Sequence, residues 1–434
     1  MNYHHSFSTN DQGNLVIGDV DTTELAKIYG TPLYVYDVSI IRENCRAFVN
    51  TFKQLGVEAQ VAYASKAFSS VAIVQIMKQE GLSLDVVSEG ELYTALKADF
   101  PTNKIHLHGN NKNIAELEMA VENDIGCIVI DNFHEITLLE NILKEHDKQM
   151  DVLIRVTPGV ESKTHHYIMT GNEDSKFGFS LNNGQADQAF ELLHNHSHIR
   201  FKGLHCHIGS QIFETDGFTK AIEVLFEKIA TWKKDSGFVP EVMNFGGGFG
   251  IRYTESDKPL PYTVYVEKIV EATQTHAKEI DIPLPEIWIE PGRSIVGNAG
   301  ITLYSIGSTK EIPGIRKYVA IDGGMTDNLR PALYNAKYDA VVANKANQPN
   351  SETVSIAGKC CESGDMLIWD LEVPEIDSDD ILAVFSTGAY GYAMASHYNR
   401  LANAAVVFVE NGQHKEVIRR ETYEDVVKND LSYE

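Results

Sequence analysis

The sequence predicts an α/β protein, with a (β/α)8 TIM barrel followed by a C-terminal β-barrel or β-sandwich domain. The first observation is that short β-branched or apolar runs alternate with amphipathic, helix-like stretches up to about residue 290. The second is that this alternation then gives way to strand candidates separated by turn residues. The third is the length of 434 residues, which exceeds the size at which a single core stops growing and therefore predicts two domains.

Eight runs make up the predicted barrel, and each is followed by a stretch of helical periodicity. Eight strands that alternate with helices close into a barrel whose catalytic groups lie in the loops after the strands. The residues directly after each run are therefore the candidates for chemistry. The runs are residues 60–65, 84–88, 104–108, 127–130, 151–156, 201–207, 241–245 and 286–290.

The second domain has signals of its own. Residues 33–37, LYVYD, form a strand candidate, and the Asn411-Gly412 pair between two strand-like runs predicts a hairpin. We expect the barrel to span residues 37–290. We expect the β domain to combine residues 1–36 with residues 291–434, so that the N-terminal strand joins the C-terminal part.

Charge and targeting signals narrow the class of protein. The 37 basic and 61 acidic side chains give a formal charge of −24, which argues against nucleic acid or an anionic membrane as a partner because both are bound by clustered Lys and Arg. The sequence has no cationic start before an apolar run and no stretch of about 18 apolar residues, so we expect a cytoplasmic protein. An odd set of cysteines without a CxxC pair fits a reducing compartment. The cysteines are Cys45, Cys127, Cys206, Cys360 and Cys361.

Lys66 ends the first run, in the segment AYASKAFSS, at the place where a barrel displays its catalytic groups. Small and apolar neighbours would desolvate the amine, which lowers the pKa of a lysine and favours Schiff-base chemistry. Taken alone, an ordinary lysine at a strand end is the simpler interpretation. One lysine does not define a site.

The glycine cluster of residues 244–250, NFGGGFG, follows another run and offers backbone amides that can approach a phosphate. It lacks the Lys-Ser/Thr ending of a P-loop and the GxGxxG spacing, so ATP and NAD are disfavoured. A tight turn is an equally consistent interpretation.

Two histidines lie in the segment HCHIGSQ. Because side chains alternate along a strand, His205, Cys206 and His207 cannot all face one pocket. His205 and His207 on the same side of the strand are compatible with a metal site, but no obvious carboxylate or thiolate lies at metal-ligand spacing from them, so we predict no metal. Ser210, just past the strand, is placed to donate to a phosphate.

Two acidic segments complete the set. Glu290, in EPGRS, ends the last run, where a carboxylate aimed at a pyridine nitrogen would keep that nitrogen protonated. An internal ion pair between Glu290 and Arg293 is an equal alternative. In AGKCCESGD a thiol of Cys360 or Cys361 could donate a proton and Glu362 could bind an amine, although internal cysteines are more often inert core residues.

The segments AYASKA, GLHCHIGSQ, GGGFG, EPGR, CESGD and GAYGYAM together resemble, in their order and barrel positions, the fold-type III decarboxylases that depend on pyridoxal 5'-phosphate (PLP). The resemblance covers about residues 30–400. It implies an alanine racemase-like barrel with a C-terminal β domain and PLP as the cofactor. It also implies a homodimer whose sites are shared across the interface.

The resemblance implies a role for each matching residue. Lys66 would carry PLP as a Schiff base, His207 would stack on its ring, and Glu290 would pair with the pyridine nitrogen. Cys361 would return a proton to the substrate, so Lys66, His207 and Cys361 are the expected catalytic residues. Cys361 and Glu362 match positions that such dimers lend to the partner's site. Residues expected around the phosphate or elsewhere near PLP are Asp85, Glu91, Ser210, Gly247, Gly248 and Tyr390, and Tyr390 would also contact substrate.

Within this family the chain is similar to the diaminopimelate branch, whose substrate carries a second amino-acid head at its far end. The planar fork of an arginine suits a carboxylate there, and an acid suits the amine. The candidates are Arg293, Arg330 and Tyr334 for the distal carboxylate and Glu362 for the distal amine. Residues 164–178 also resemble this branch. The resemblance implies a carboxy-lyase that converts meso-2,6-diaminopimelate into L-lysine and carbon dioxide, the last step of lysine biosynthesis.

Three alternatives remain for the function. The scaffold is also compatible with decarboxylation of another basic amino acid or a carboxylated polyamine, against which Arg330 and Glu362 argue. A non-enzymatic PLP-fold binding protein would be expected to lack the lysine or the cysteine, and Lys66 and Cys361 are both present. An amino-acid racemase is disfavoured by the CESGD and GAYGYAM segments and by the two-domain length.

Overall fold

The structure is a computed structural model that describes residues 7–160 and 174–434. Its contacts divide the chain into two units. The barrel unit comprises Asn44–Gly250 and Pro259–Ser294, and the β unit comprises Met1–Glu43, Ile251–Lys258 and Ile295–Glu434. The predicted domain limits stay a prediction. Of the stretch 164–178, residues 164–173 lie outside the described residues.

The N-terminal elements belong to the β unit. In helix α1 the Asp21 side chain accepts the Thr23 backbone amide, and Gly30, at φ 71°, ends the helix in a conformation that glycine adopts without strain. The elements are β1 (Phe7–Thr9), β2 (Leu15–Ile17), β3 (Val20–Asp21), α1 (Thr22–Tyr29) and β4 (Leu33–Asp37).

The predicted eight-stranded barrel is confirmed, and each of its eight strands overlaps one of the predicted runs. The parallel pairs follow the order β5, β6, β7, β8, β9, β11, β12 and β13, and β13 pairs back with β5 to close the ring. A short β10 adds to the edge of β9. The strands are β5 (Ala59–Ala64), β6 (Ser83–Val86), β7 (Ile105–Leu107), β8 (Cys127–Ile130), β9 (Met150–Thr157), β10 (Phe179–Ser180), β11 (Ile199–His205), β12 (Val242–Asn244) and β13 (Glu286–Ile289).

The helices after the first barrel strands begin at polar caps. The side chains of Ser70, Ser88, Asn113 and Asn132 each accept a backbone amide of the first helical turn, which satisfies a donor that the helix itself leaves unpaired. These caps fix where each loop ends, and so where the residues after each strand are held. The four capped helices are α3 (Val71–Gln79), α4 (Glu89–Lys97), α5 (Ile114–Glu122) and α6 (Phe133–His146). Helix α2 (Val38–Leu55) precedes the first barrel strand, and α7 (Gln185–Leu193), α8 (Asp216–Ser236) and α9 (Tyr262–Glu279) follow later strands.

Polar residues lie level with one another inside the barrel. In the strand register His205 pairs with Arg155 on one side and with Asn244 on the other. Residues at the same level of adjacent parallel strands face the same side of a sheet. An apolar cluster that includes Leu153 and Trp288 packs on the same strands.

The β unit is built on a seven-strand path in which β4 lies between β14 and β20. The path runs β18, β17, β15, β14, β4, β20 and β21, and β19 pairs with both β14 and β16. The predicted hairpin is confirmed, because β20 and β21 pair antiparallel around Asn411 and Gly412, both at positive φ. The short helix α10 (Arg293–Val296) begins in the barrel unit and ends in the β unit. The further elements are β14 (Gly300–Ile312), β15 (Arg316–Ile321), α11 (Arg330–Tyr334), β16 (Ala340–Val342), β17 (Glu352–Ala357), β18 (Met366–Val373), β19 (Ile381–Val384), β20 (Ala405–Glu410), β21 (Gln413–Ile418) and α12 (Tyr423–Val427).

Within residues 7–160 and 174–434, no helix combines the length and the apolar character that crossing a membrane requires.

Candidate active site

The predicted site residues of the barrel unit gather at the carboxyl ends of its strands. Lys66 follows β5, His207 follows β11, the glycine loop follows β12 and Glu290 follows β13. In a parallel barrel these ends all open on the same face. Residues far apart in the sequence therefore share one mouth of the barrel.

Lys66 lies on a one-turn 3-10 helix, Ser65–Ala67, directly beyond strand β5. Its side chain is exposed, so the predicted desolvation of its amine by small neighbours is wrong. The reason is that the strand ends at Ala64 and the turn carries the lysine beyond the packed interior. The charged amine lies close enough to help lower the pKa of His207.

His207 is half-buried and lies beyond the end of β11. The predicted strand of residues 201–207 is therefore displaced by two residues toward the C-terminus, since β11 spans Ile199–His205. Burial, followed by the positive charges of Lys66 and Arg155, holds the pKa of His207 well below its usual range, so the imidazole is neutral. Its Nδ1 accepts the Gly247 amide at 3.2 Å, which fixes the plane of the ring.

The glycine loop lies too close to its neighbours to tolerate side chains. A Cβ at Gly247 would lie 2.1 Å from the Glu290 carbonyl oxygen. A Cβ at Gly248, where φ is +109°, would lie 2.5 Å from the Gly209 carbonyl oxygen. The absence of side chains leaves the backbone itself as the lining of this part of the mouth.

Arg293 and Ser210 are brought together beside this loop. Arg293 Nη2 donates to Ser210 Oγ at 2.9 Å, and the guanidinium side chain is only 7% exposed. A buried guanidinium beside a hydroxyl and a glycine loop is suited to an anion such as a phosphate. The predicted contact of Arg293 with a substrate carboxylate stays a prediction.

Glu290 is buried, and its carboxylate is surrounded by polar side chains. Asn244 Nδ2 donates to Oε1 at 2.6 Å, His108 Nε2 lies 3.0 Å from Oε1, and His205 Nε2 lies 3.0 Å from Oε2. Desolvating a carboxylate costs several kcal/mol. Hydrogen bonds to a charged group contribute about 1.5–3 kcal/mol each, so those with Asn244 and His205 offset much of that cost, and the electrostatic attraction of His108 adds to them.

The charge state of Glu290 follows from these contacts. Burial alone would raise its pKa, but His108 and His205 hold the pKa of Glu290 well below its usual range. The ligand atoms of these three side chains lie within 4.8 Å of one another. Because the nitrogens already lie at hydrogen-bond distance from the carboxylate, we interpret the group as a hydrogen-bonded cluster and not as a metal centre.

Asp85 and Glu91 form an acidic pair near the barrel mouth. Burial raises the pKa of Asp85 to about 6, although His108 lowers it. Burial likewise raises the pKa of Glu91 to about 7, and the charge of Asp85 adds to the increase. The Glu91 carboxylate accepts a hydrogen bond from the Val87 amide at 2.8 Å, and this bond only partly offsets the effect of burial on the pKa.

Replacement of Glu91 by glutamine is expected to weaken the pH dependence of stability. The folded-state pKa of Glu91, about 7, exceeds its ordinary value of 4.5, so the folded state binds the proton more tightly than the unfolded state does. The free energy of unfolding therefore falls as the pH rises through this interval, and Glu91→Gln should make that fall smaller. Urea denaturation at several pH values between about 4.5 and 7.5 measures it. Glu89→Gln, an exposed position on the same helix, is the control, and equal pH slopes for Glu91→Gln and the parent protein would contradict the prediction.

The β unit carries the remaining predicted residues, of which Arg330 is the most tightly held. Its guanidinium lies 4.7 Å from the Tyr253 ring centre and 5.6 Å from that of Tyr338, and Nη1 donates to Tyr338 Oη at 2.5 Å. The side chain is 8% exposed. Tyr334, one helical turn further on, is half-buried. The two aromatic rings hold the guanidinium in one orientation.

The two adjacent cysteines differ sharply in environment. Cys360 is buried, and burial together with Asp365 raises the pKa of its thiol to about 11. Cys361 and Glu362 are exposed. The buried Asp365 accepts the backbone amides of Met325 and Cys360, at 2.6 and 2.9 Å, which fixes the turn that presents Cys361 and Glu362 to solvent.

Tyr390 adopts a backbone conformation that is uncommon for an aromatic residue. Its φ is +59°, in the left-handed region, and its side chain is half-buried. Such strain persists only where the surrounding structure imposes it, and it is concentrated at functional sites. This supports the prediction that Tyr390 belongs to a binding site.

Several polar residues that the sequence did not single out belong to the same clusters. In the barrel unit these are His108, Arg155 and Asn244, and in the β unit they are Tyr253 and Tyr338. The barrel residues did carry a signal, because each is a polar residue at or near the end of an otherwise apolar strand. The two tyrosines carried no signal, since aromatic residues usually pack in cores.

The residues of the barrel unit fit PLP. Lys66 supplies an amine for the aldehyde, neutral His207 a flat ring, and ionised Glu290 an acceptor for a protonated ring nitrogen. Ser210 and Arg293 supply donors for the phosphate. The individual roles of these residues stay predictions.

Comparison with known proteins agrees with this chemistry. Residues 38–297 match the family described as "Pyridoxal-dependent decarboxylase, pyridoxal binding domain". The chain is 60% identical over 433 residues to the diaminopimelate decarboxylase of Bacillus subtilis (strain 168), covering 100% of this chain and 99% of that protein. It is 61% identical over 420 residues to that of Bacillus methanolicus, covering 97% of each.

Solved structures give the same result. The diaminopimelate decarboxylase from M. jannaschii in co-complex with L-lysine has a TM-score of 0.93 and 33% sequence identity, with coverage of 100% of this chain and 99% of that chain. The alignments span the barrel and the β unit alike. The chain therefore belongs to the family of pyridoxal-dependent decarboxylases and, within that family, to the diaminopimelate decarboxylases.

Proposed function

We propose that the protein is a carboxy-lyase that removes carbon dioxide from the D-centre of meso-2,6-diaminopimelate and releases L-lysine, the last step of lysine biosynthesis. The observation that carries this proposal is the grouping of Lys66, His207 and ionised Glu290 at the carboxyl ends of the barrel strands. The names of the relatives support the choice of substrate. The L-lysine in the M. jannaschii structure matches the proposed product.

PLP would be held by Lys66 through its aldehyde, by Glu290 through its ring nitrogen, and by Ser210 through its phosphate. His207 would stack on the ring, with Gly247, Gly248 and Tyr390 around the phosphate and Asp85 and Glu91 nearby. When bound, PLP accepts the electron pair that is left when the carboxylate departs. We propose that the roles of the protein residues are to orient substrate and to move protons.

Each catalytic side chain then has a defined task. Lys66 Nζ would hold PLP and would be the amine that exchanges with the amines of substrate and product. His207, neutral and held by the Gly247 amide, keeps one face covered without adding a charge. Cys361 Sγ holds the proton that is delivered to the α-carbon after carbon dioxide leaves. An exposed thiol suits a group that must reach a substrate, whereas buried Cys360 does not.

We propose that Arg330 binds the distal carboxylate of the substrate, with Tyr334, Tyr390 and Arg293 as further contacts and Glu362 on the distal amine. The clamp of Tyr253 and Tyr338 supports Arg330 in this role, because a guanidinium held in one orientation loses little freedom when it binds. The planar guanidinium of Arg330 can form two parallel hydrogen bonds with a carboxylate. Arg330 would therefore distinguish this substrate from simple basic amino acids, which have no distal carboxylate.

Replacement of Arg330 by lysine is expected to raise KM for meso-diaminopimelate by about 10-fold or more, because charged hydrogen bonds contribute roughly 1.5–3 kcal/mol each. The value of kcat should change much less. Steady-state kinetics measure both constants. Arg316→Lys is the matched control, since Arg316 also stacks on an aromatic ring, that of Trp369, at 4.9 Å. An unchanged KM in Arg330→Lys would contradict the assignment.

We propose further that the protein acts in the cytoplasm on a small amino-acid substrate and forms a homodimer in which each chain lends Cys361 and Glu362 to the other's site. The exposure of both side chains in the single chain supports this arrangement. The negative charge of −24 disfavours nucleic acid and membrane partners.

The test of the reaction is carbon dioxide release from meso-diaminopimelate by PLP-loaded protein, with L-lysine quantified in parallel. We expect one L-lysine for each carbon dioxide. Ornithine, arginine and L-lysine are offered as alternative substrates. Release from one of these but not from meso-diaminopimelate would retain the chemistry and overturn the substrate.

A further inference from the structure

The carboxylate of Glu290 has almost all of its acceptor positions occupied from within the barrel. A carboxylate offers about four lone-pair positions, two on each oxygen. Asn244 and His108 approach Oε1, and His205 approaches Oε2. Among the described residues, these contacts leave one position, on Oε2. The Glu290 carboxylate is thus an acceptor with one defined position left for a further donor.

The tautomer of His205 follows from its surroundings. Its Nε2 lies 3.0 Å from Glu290, whereas its buried Nδ1 has no hydrogen-bond partner in the described part of the chain. Burial lowers the pKa of His205 to about 4, so the ring is neutral and carries its one proton on Nε2. His205 is therefore a neutral donor to Glu290.

His108 lies in a different electrostatic environment. Burial alone would lower its pKa, but Asp85 and Glu290 raise it, and His108 Nε2 lies 3.7 Å from Asp85 and 3.0 Å from Glu290. His108 thus lies between two carboxylates, both of which favour its protonated form. The titratable or charged groups that interact with Glu290 are Asp85, His106, His108, Cys127, Arg155, His205, Cys206 and His207, and Lys66 acts on its neighbours Asp85 and His207.

We propose that His108, His205 and Asn244 are positioning residues that orient Glu290 with one open acceptor position on Oε2 and so keep the ring nitrogen of bound PLP protonated. The inference rests on the proposed pairing of Glu290 with that nitrogen. A carboxylate that loses hydrogen-bond donors becomes a stronger base. It would then take the proton from the ring nitrogen and weaken PLP as an electron acceptor.

The test uses holoenzyme reconstituted with PLP that carries 15N in its ring, because the 15N chemical shift reports protonation of that nitrogen independently of activity. His205→Leu removes one donor at similar size. Asn244→Leu removes another at similar size, together with the acceptor of the Gly246 amide at 2.9 Å. His205→Gln restores an amide donor. His106→Leu is the control, since His106 is equally buried but stacks on Trp288, with ring centres 4.1 Å apart.

We expect the 15N resonance of His205→Leu and Asn244→Leu to move toward that of an unprotonated ring. Their kcat should fall about 10-fold or more while KM changes little, a loss typical of residues that orient a catalytic ligand. His205→Gln should recover most of both properties, and His106→Leu should keep the protonated resonance. A protonated resonance in both PLP-loaded donor variants would overturn the inference, whatever their activity.

The two proposals fail in different ways. If Glu290→Gln keeps a protonated ring nitrogen, the proposed pairing of Glu290 with PLP is wrong, and the inference falls with it. If the unsubstituted protein releases no carbon dioxide from meso-diaminopimelate, the proposed reaction is wrong. In that case the 15N shifts of the donor variants still decide whether the cluster controls the nitrogen.

Discussion

Replacement of Lys66 by alanine is expected to lower the rate of carbon dioxide release by roughly 10³-fold, within the range that catalytic proton-transfer groups contribute. Lys66 is the amine through which PLP would be held and the group that would free the product. Because its side chain is exposed on a one-turn helix, the substitution should change the free energy of unfolding by less than about 0.5 kcal/mol. The expected result is a folded protein that has lost its reaction.

Two measurements separate this result from general damage. Borohydride reduction of the PLP-loaded protein followed by peptide mass spectrometry should find PLP attached to Lys66 in the parent protein and to no peptide in Lys66→Ala. Lys97→Ala, which changes an exposed lysine at the end of α4, should retain both attachment and activity. Attachment at any other lysine would show that the site has been assigned to the wrong residue.

Replacement of Cys361 by alanine is expected to lower kcat by about 10²-fold or more, because the proton would no longer be delivered from a positioned thiol. The same change at the adjacent Cys360 should leave kcat within a few-fold. Cys360 is buried and held as a thiol, with a pKa raised to about 11, so its loss removes packing. That loss should cost roughly 1 kcal/mol of stability.

The pair of variants is its own control, because the residues are neighbours in the chain and differ in exposure. Product analysis adds a second readout to the steady-state kinetics. A missing proton donor should slow product formation after carbon dioxide has left, and in deuterium oxide it should change the solvent isotope effect. Equal small losses in both variants would show that neither thiol delivers the proton.

The barrel could be predicted because its evidence is local. Each strand is a short apolar run, each following helix has its own periodicity, and a polar cap such as Ser88 marks the junction. Lys66 and Glu290 could be placed at the mouth of the barrel for the same reason, since each directly follows a strand. The Asn411-Gly412 hairpin is another local pattern that the structure confirmed.

The cluster around Glu290 could not be predicted, because its members come from three distant strands. His205 and Asn244 lie on paired strands, but His108 reaches Glu290 only when the sheet closes, and nothing in the neighbouring sequence of His108 indicates a carboxylate partner. The exposure of Lys66 was also missed, since apolar neighbours in sequence do not reveal that a turn lifts a side chain away from them. The segment Ile251–Lys258 belongs to the β unit although the sequence places it between barrel elements.

The central position of β4 has a consequence for how the β unit assembles. Residues 33–37 pair with β14 on one side and with β20 on the other, so a chain segment made at the beginning of synthesis joins strands that are made near its end. A fragment that begins at residue 291 would expose two unpaired edges, and such edges promote aggregation. Contacts between segments so far apart slow folding, and the early strand must wait through synthesis of the whole barrel before it can pair.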